Sequence, residues 1–159
     1  MKGKIILLTA CMLLAVSGLP VQAAEPMEEE AVAQLSEEVG AKYQICPELL
    51  QAIAWKESRY CPEVESKGCT GLMQVAGRWH QERMKELGTD NLKDAHQNML
   101  VAADYLQELV ETYGDPVMVL MVYNGDSRAE DYWEGHCGPS GYAEEILELS
   151  AQLEAQHGK

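Results

Sequence analysis

The stretch from Ala52 to Val75 contains an acidic residue at a position where the helical pattern predicts an apolar one. Leu50, Ile53, Ala54 and Glu57 follow the i, i+3, i+4, i+7 spacing of one helix face. A carboxyl group that is partly removed from water favours its protonated form, so its pKa rises. Such a group can donate a proton to a leaving oxygen, as glycosidic bond cleavage requires. Most helical glutamates are surface groups, so periodicity alone leaves a solvated or ion-paired Glu57 as the alternative.

The residues that follow Glu57 form a second pattern, spread over most of the chain. Its blocks are Glu57-Ser58, Ser66 with Gly68, Gly71-Leu72-Met73-Gln74, Asn98, Tyr105-Leu106, Tyr123-Asn124-Gly125 and Tyr142. This series resembles the soluble lytic transglycosylase family, which has a lysozyme-like fold. The resemblance covers residues 45–150. Each block alone is a weak signal, but the combination in this order is specific.

The resemblance implies roles for the residues around the carboxyl group. Glu57 corresponds to the catalytic acid/base, and Ser58 to a neighbour that contacts substrate or steadies the site. Tyr142 corresponds to a tyrosine that approaches the catalytic carboxyl. Asn98 corresponds to a structural asparagine before a long helix, outside the site.

The resemblance also implies which residues line the substrate cleft. Gly71, Leu72, Met73 and Gln74 correspond to the block opposite the glutamate, with Met73 and Gln74 reaching the sugar. The pair Tyr123-Asn124 corresponds to the far wall of the cleft.

The family chemistry needs one carboxyl group and no metal or cofactor. Glu57 would protonate the oxygen between N-acetylmuramic acid and N-acetylglucosamine, leaving an oxocarbenium-like centre on the muramic acid ring. The resulting carboxylate would take a proton from the C6 hydroxyl of the same sugar. Attack by that hydroxyl closes a 1,6-anhydro ring, and because both groups belong to one molecule the step gains from proximity.

The sequence departs from the family pattern in three places. Val75-Ala76-Gly77-Arg78-Trp79 replaces a Met-Pro-x-Thr-Ala type of segment, and Gly125-Asp126 replaces a small residue followed by glycine. Cys61 and Cys69 do not belong to the general pattern. The glutamate is retained, so these changes affect which sugars and stem peptides are accepted.

Helices must position these residues, and the sequence predicts a mainly α-helical, lysozyme-like single domain with little or no sheet. Helical periodicity begins at Ala31, and Cys46-Pro47 opens the next helix with proline at its first turn. Residues 59–71 are rich in Pro, Gly and Ser and predict a loop. Further helices are predicted over 78–87 and 94–113, after Asp115-Pro116, and through the stripe Tyr142, Ile146, Leu149 and Leu153.

The N-terminal residues have the layout of a secretory signal peptide. Lys2 and Lys4 precede an apolar run over residues 5–16, and small residues end at Ala23. We therefore expect residues 1–23 to be removed, residues 24–44 to form an acidic segment and first helix, and residues 45–157 to form the transglycosylase domain. The apolar run is too short for a comfortable membrane span, which needs about 20 residues. The protein is expected to be secreted or to lie in the cell envelope, without stable membrane insertion after processing.

The charge of the chain excludes one class of partner. The formal net charge of −14 becomes −16 once the two lysines of residues 1–23 are removed. Binding to nucleic acid requires clustered Lys and Arg, so nucleic acid is not an expected partner. The expected partner is the glycan strand of peptidoglycan.

Four cysteines remain after processing, which in an oxidising compartment predicts two disulfides. Cys46 and Cys61 flank the predicted helix 47–58 and would lie roughly 17 Å apart. A disulfide tolerates a Cα separation of about 4.4–6.8 Å, so that pair is excluded. The favoured pairs are Cys61–Cys69 and Cys46–Cys137.

Two other functions remain open from the sequence. A hydrolytic muramidase would need a second carboxylate about 5–9.5 Å from Glu57, for which Asp126, Glu63 and Glu65 are weak candidates. A non-catalytic wall-binding module could stack sugars on tryptophan, although a buried tryptophan is commoner. The three tryptophans are Trp55, Trp79 and Trp133, of which Trp79 is the best candidate for a groove residue.

The four histidines lack the His-Glu-x-x-His spacing of a zinc site.

Overall fold

The computed structural model describes residues 25–159. Within these residues the chain forms seven α-helices and one antiparallel pair of two-residue strands. The helices are α1 (Glu29–Tyr43), α2 (Pro47–Ser58), α3 (Gln81–Leu87), α4 (Ala95–Tyr113), α5 (Pro116–Tyr123), α6 (Ala129–Trp133) and α7 (Gly141–Gln156). The predicted mainly α, lysozyme-like fold is confirmed. The predicted signal peptide and Cys11 lie outside the described residues.

Helix α2 is the centre of the domain. It packs against α1 on one side and α7 on the other, while α4 packs against α1 and α5. Leu50, Ala52, Ile53 and Ala54 are all fully buried, so α2 is covered on several faces. At about 25 cal/mol per Å² of buried apolar area, this coverage is the main stabilisation of α2 and fixes the direction in which its last turn points. The predicted boundaries of the helix over 47–58 are confirmed.

The apolar run VMVLMVY, for which the sequence predicts a helix after Asp115-Pro116, forms α5. Asp115 caps this helix by accepting a hydrogen bond from the backbone N–H of Met118 at 2.8 Å, and Pro116 occupies the first turn. Met118 to Met121 are buried. The expectation of a helix rather than a strand is therefore confirmed.

The predicted loop over 59–71 contains a small β-hairpin. Strand β1 (Glu65–Ser66) pairs with β2 (Cys69–Thr70) through a turn at Lys67 and Gly68, both of which have positive φ. An isolated bridge then joins Thr70 to Val75, so the chain doubles back a second time. This second reversal places residues 71–74 on a tight turn beside the end of α2.

Three local expectations differ from the structure. The helix expected over 78–87 is divided into a 3₁₀ turn (Gly77–Trp79) and α3, and α6 was not predicted. The acidic segment before α1, for which the sequence predicts no contact with the domain, is held by the backbone N–H of Met27, which donates to the carbonyl of Tyr60 at 2.8 Å. This bond ties the start of the described chain to the loop after α2.

No disulfide joins the predicted pairs Cys61–Cys69 and Cys46–Cys137 within residues 25–159. The thiol of Cys46 instead lies 3.1 Å from the carboxylate of Glu48, and that of Cys137 lies 3.8 Å from the carbonyl of Arg128. Cys46 and Cys61 lie at opposite ends of α2, as expected when a disulfide between them was excluded. The pairing therefore stays a prediction.

None of the helices described over residues 25–159 has the length and apolar character needed to cross a bilayer.

Candidate active site

Glu57 lies in the last turn of α2, on the same stripe as buried Leu50, Ile53 and Ala54. The residue is half-buried. Burial raises the pKa of the Glu57 carboxyl, while a hydrogen bond from Tyr142 and the nearby charge of Lys56 act in the opposite direction. The balance is a carboxyl group that is protonated more readily than an exposed glutamate, as a general acid requires.

Tyr142 lies in the first turn of α7 and donates its hydroxyl proton to Oε1 of Glu57. Ser140 caps α7 by accepting a hydrogen bond from the N–H of Ala143 at 3.2 Å, which fixes the start of the helix. Burial, and after it the charge of Glu57, raises the pKa of the Tyr142 phenol, so the phenol keeps its proton and acts as a donor. The sequence-based placement of Tyr142 beside the carboxyl agrees with this geometry.

A second contact joins the same two helices next to the site. Lys56 forms an ion pair with Glu145, one turn after Tyr142 on α7. The ammonium of Lys56 thus pairs with Glu145 and also lowers the pKa of Glu57 through its charge. Sequence reasoning missed this pair because the partners are 89 residues apart.

Tyr123 is the last residue of α5 and contacts the turn at residues 71–74. Its hydroxyl donates to the carbonyl of Met73 at 2.8 Å. Burial raises the pKa of Tyr123 well above its ordinary value, and the charges of Glu57 and Cys69 add to this effect. Glu57, Tyr123 and Tyr142 therefore form one cluster, drawn from α2, α5 and α7.

Asn124 directly follows α5 and is exposed. Its backbone N–H donates to the carbonyl of Leu120 at 3.0 Å, so the backbone position is fixed while the side chain faces solvent. An exposed amide next to the Glu57 cluster is free to contact a sugar.

The turn at residues 71–74 is held against α2 and α4 by two polar side chains. The hydroxyl of Ser58 donates to the carbonyl of Leu72 at 2.8 Å. The amide of Asn98 accepts from the N–H of Met73 at 2.7 Å and donates to the carbonyls of Thr70 and Leu92, both at 2.8 Å. Ser58 thus steadies the site through the backbone, which is one of the two roles expected for it.

Gly71 is required at this turn. Its φ is +86°, and a Cβ there would lie 2.1 Å from the carbonyl oxygen of Leu92 and 2.3 Å from Nδ2 of Asn98. No side chain fits in that space. The close approach is what allows Asn98 to reach three backbone groups at once.

Met73 and Gln74 were both expected to reach the sugar, and the structure places them differently. The side chain of Met73 is fully buried, as is that of Leu72, so Met73 contributes its backbone carbonyl to the site. Gln74 has a positive φ of 49°, and its Nε2 donates to the carbonyls of Val64 and Gly71. Part of Gln74 stays accessible, so it remains the member of the block whose side chain can meet a ligand.

Asn98 was expected to lie before the long helix and instead lies in the first turn of α4. It is fully buried. A sequence signal for this role existed, because Asn98 shares one helix face with Val101, Ala102 and Tyr105. A polar residue on an apolar stripe marks a buried hydrogen-bonding position, as the stripe through Glu57 also shows.

The three carboxylates considered as a second catalytic group each form an ion pair with a lysine or an arginine. Lys93 lies 3.7 Å from Glu63 and 2.8 Å from Glu65, and Asp126 lies 3.2 Å from Arg128. No carboxylate is among the groups that shift the pKa of Glu57 within the described chain. Glu57 is therefore the carboxyl group that the contacts with Tyr142 and Lys56 identify as the centre of the candidate site.

All three tryptophans are exposed rather than buried. The exposed fractions are 42% for Trp55, 75% for Trp79 and 56% for Trp133. Trp55 packs edge-on against Tyr60, and Trp133 against Tyr113, whereas Trp79 has only the guanidinium of Arg78 over its ring. Trp79 thus has the most open aromatic face of the three.

A small helical domain with one half-buried carboxyl at a helix end, hydrogen-bonded by a tyrosine from another helix, has the architecture of the lysozyme-like enzymes. The model of the Transglycosylase SLT domain family matches residues 34–143, which is more than half of the chain. The chain therefore belongs to the Transglycosylase SLT domain family. No curated protein matches it closely enough to count as a relative. Membership supports peptidoglycan lysis of the lytic transglycosylase type as the general activity, and the cell envelope as its place.

Proposed function

We propose that the protein is an exported lytic transglycosylase that cleaves the β-1,4 bond between N-acetylmuramic acid and N-acetylglucosamine. Glu57 acts as the acid and then as the base, and the product carries a 1,6-anhydro end. The observation that supports this proposal best is the half-buried Glu57 carboxyl, with a raised pKa and a hydrogen bond from Tyr142.

Each site residue has a separate role in this reaction. Protonated Glu57 donates its proton to the glycosidic oxygen as the bond breaks. The carboxylate formed then accepts the proton of the C6 hydroxyl, whose oxygen attacks the anomeric carbon. Tyr142 stabilises the carboxylate by donating its hydrogen bond, and Tyr123 with the Met73 carbonyl forms the facing side of the site.

A single carboxyl favours this reaction over hydrolysis. An inverting hydrolase uses a second carboxylate to activate water, and a retaining hydrolase uses one as nucleophile. The candidates from the sequence, Glu63, Glu65 and Asp126, form ion pairs with Lys93 and Arg128. Intramolecular attack by the C6 hydroxyl needs neither second group.

Mass analysis of the released muropeptides tests the proposal. The purified protein is incubated with peptidoglycan, and a 1,6-anhydro product is lighter than the hydrolysis product by one water. The variant Glu57→Gln should lose about 10²–10⁴-fold of the activity, which is the usual contribution of general acid–base catalysis. Glu111→Gln, an exposed glutamate on α4, is the matched control. Products with reducing ends would identify a hydrolase, and full clearing by Glu57→Gln would overturn the role of Glu57.

A further inference from the structure

The segment over residues 75–79, which departs from the family pattern, contributes to a small positively charged patch in an otherwise acidic protein. We use the name basic rim for Lys67, Arg78 and Trp79. The guanidinium of Arg78 lies over the hairpin turn, because Nη1 is 2.7 Å from the position of a Cβ on Gly68. It also lies over the ring of Trp79, at 5.3 Å from its centroid. The hairpin turn and the 3₁₀ turn thus meet at this rim.

Of the acids near the basic rim, those of the hairpin are paired with another cation, whereas Glu82 and Glu86 border a surface cavity beside Arg78 without forming an ion pair with it. Glu63 and Glu65, on the same hairpin, both face Lys93. Neither Lys67 nor Arg78 forms an ion pair with any carboxylate of residues 25–159. In a chain of net charge −14 these two uncompensated cations are a local exception. They are available to an anionic ligand.

The other side of the basic rim borders a surface cavity of about 480 Å³, lined by residues that include Arg78, Trp79, His80, Arg83 and Glu108. Arg83 is compensated there by Glu108 and by Asp104. Burial lowers the pKa of His80, so its ring is mainly neutral near neutral pH. Arg78 is therefore the cation of this cavity that lacks an acidic partner in the described chain.

The basic rim is connected to the Glu57 cluster through neighbouring residues. Cys69 follows Gly68 directly and lies close enough to Tyr123 to raise its pKa. Tyr123 in turn feels the charge of Glu57. On the other side, the ring of Tyr105 lies 6.0 Å from that of Tyr123 and 4.7 Å from that of His80. The stacked rings of His80, Tyr105 and Tyr123 thus join the side of the rim at residue 80 to the Glu57 cluster.

We infer that the basic rim binds the peptide stem of a glycan strand seated at Glu57. Lys67 and Arg78 would bind a stem carboxylate, and the open face of Trp79 would cover an apolar part of the same stem. This inference rests on the proposed function, because it places the strand at Glu57. A neutral sugar has no charge for these cations, whereas a stem peptide carries carboxylates.

Strand binding in a Glu57→Gln background tests the inference, since the strands then stay intact. Affinity is measured for glycan strands with stems and for strands whose stems an amidase has removed and whose freed lactyl carboxylates have then been converted to neutral amides. The Glu57→Gln protein should prefer stem-bearing strands. Adding Arg78→Gln should reduce that preference about five- to tenfold, the usual scale of a charge-assisted hydrogen bond. The effect should weaken as salt is raised, because the rim is exposed.

Two matched variants control for charge and for exposed aromatic area. Lys85→Gln removes an exposed cation from α3, and Trp133→Ala removes an exposed tryptophan from α6. Neither should change the preference, whereas Trp79→Ala should reduce it. Thermal melts establish that each variant is folded.

The outcomes separate this inference from the proposed reaction. Equal affinity for both kinds of strand, or an unchanged preference in Arg78→Gln, would overturn the stem-binding role. Equal losses on both strands in Arg78→Gln would assign the rim to the sugars and also overturn it. A lost preference in Arg78→Gln supports the inference even where wild-type products carry reducing ends, which would count against the lyase reaction alone.

Discussion

The hydroxyl of Tyr142 donates a hydrogen bond to the carboxyl of Glu57 and so joins the first turn of α7 to the last turn of α2. Two influences of opposite sign meet at this carboxyl. Burial favours the protonated acid, and the hydrogen bond favours the carboxylate. In the proposed reaction Glu57 first donates and then accepts a proton, so burial supports the first step and the hydrogen bond from Tyr142 supports the carboxylate that the first step leaves.

The variant Tyr142→Phe should change the pH dependence of cleavage. The hydrogen bond from Tyr142 lowers the pKa of Glu57, so its removal raises that pKa further. The acid then stays protonated to higher pH, and the descending limb of the pH–rate profile should move to higher pH. The maximal rate should fall about tenfold, which corresponds to about 1.4 kcal/mol of lost transition-state stabilisation.

Rates of peptidoglycan clearing across pH 4–9 measure this effect. Tyr113→Phe is the matched control, since the ring of Tyr113 packs against Trp133 away from the site. A descending limb that moves to lower pH would contradict the assigned direction of the hydrogen bond.

The variant Glu57→Gln should be more stable than the wild type at neutral pH. Because the folded-state pKa of Glu57 is raised, the folded protein binds more protons than the unfolded chain between the two pKa values. Wild-type stability therefore falls as pH rises through that window. Glutamine has no such dependence and can still accept the hydrogen bond from Tyr142.

Thermal unfolding of both proteins from pH 3 to pH 8 checks this prediction. The advantage of Glu57→Gln should be smallest at the acidic end and grow as pH rises. A constant difference in Tm across this range would mean that Glu57 does not titrate differently in the folded and unfolded states.

The sequence predicts the Glu57 position well because burial of α2 is a local, periodic property. The residues that the pattern assigns to the apolar face, Leu50, Ile53 and Ala54, are all buried in the structure. The resemblance gave Asn98 a structural role, and its position on an apolar stripe indicates burial, but neither identifies its hydrogen-bond partners. Two of its three backbone partners, Thr70 and Met73, are 28 and 25 residues away in the sequence, and periodicity does not encode such pairings.

The turn at 71–74 shows the second limit of sequence reasoning. Motif matching assigned Met73 to the sugar, but the left-handed backbone at Gly71 and Gln74 turns the Met73 side chain into the core. The backbone carbonyl then replaces the side chain as the group that contacts Tyr123. The three exposed tryptophans were equally unpredictable, because composition does not distinguish a core tryptophan from one that faces solvent.

The variant Asn98→Ala should destabilise the fold and reduce activity together. The buried N–H of Met73 and the carbonyls of Thr70 and Leu92 would lose their partner. Unpaired buried groups cost about 1–3 kcal/mol each, and partial rehydration reduces the sum, so we expect about 2–4 kcal/mol. Urea unfolding measures this loss.

Asn91→Ala is the matched control, because Asn91 is exposed and accepts one hydrogen bond from the N–H of Lys93. It should cost less than about 1 kcal/mol. A loss for Asn98→Ala no larger than that of the control would show that the 71–74 turn holds its position without the amide.

The buried carboxyl of Glu48 should make the protein sensitive to acid. Burial alone would raise its pKa, but hydrogen bonds from Lys159, His157 and Cys46 outweigh burial and lower the pKa from 4.5 to about 2. A carboxyl with a depressed folded-state pKa stabilises the fold above its unfolded pKa and loses that contribution as pH falls. The loss should lie between pH 4.5 and about 2. Below that window Glu48 is protonated in both states and contributes no further change.

Comparison of the wild type with Glu48→Gln isolates this contribution from that of the other acids. The Tm of the wild type should fall more steeply over this window than that of Glu48→Gln, while the exposed Glu111→Gln should follow the wild type. Lys159 and His157 lie at the C-terminus and contact Glu48 at 2.7 Å and 2.8 Å, so the same titration should loosen the end of α7 from the start of α2. Lower protection from amide exchange in residues 153–159 at low pH, relative to the intrinsic rate at the same pH, would report that release. Parallel Tm curves for wild type and Glu48→Gln would contradict it.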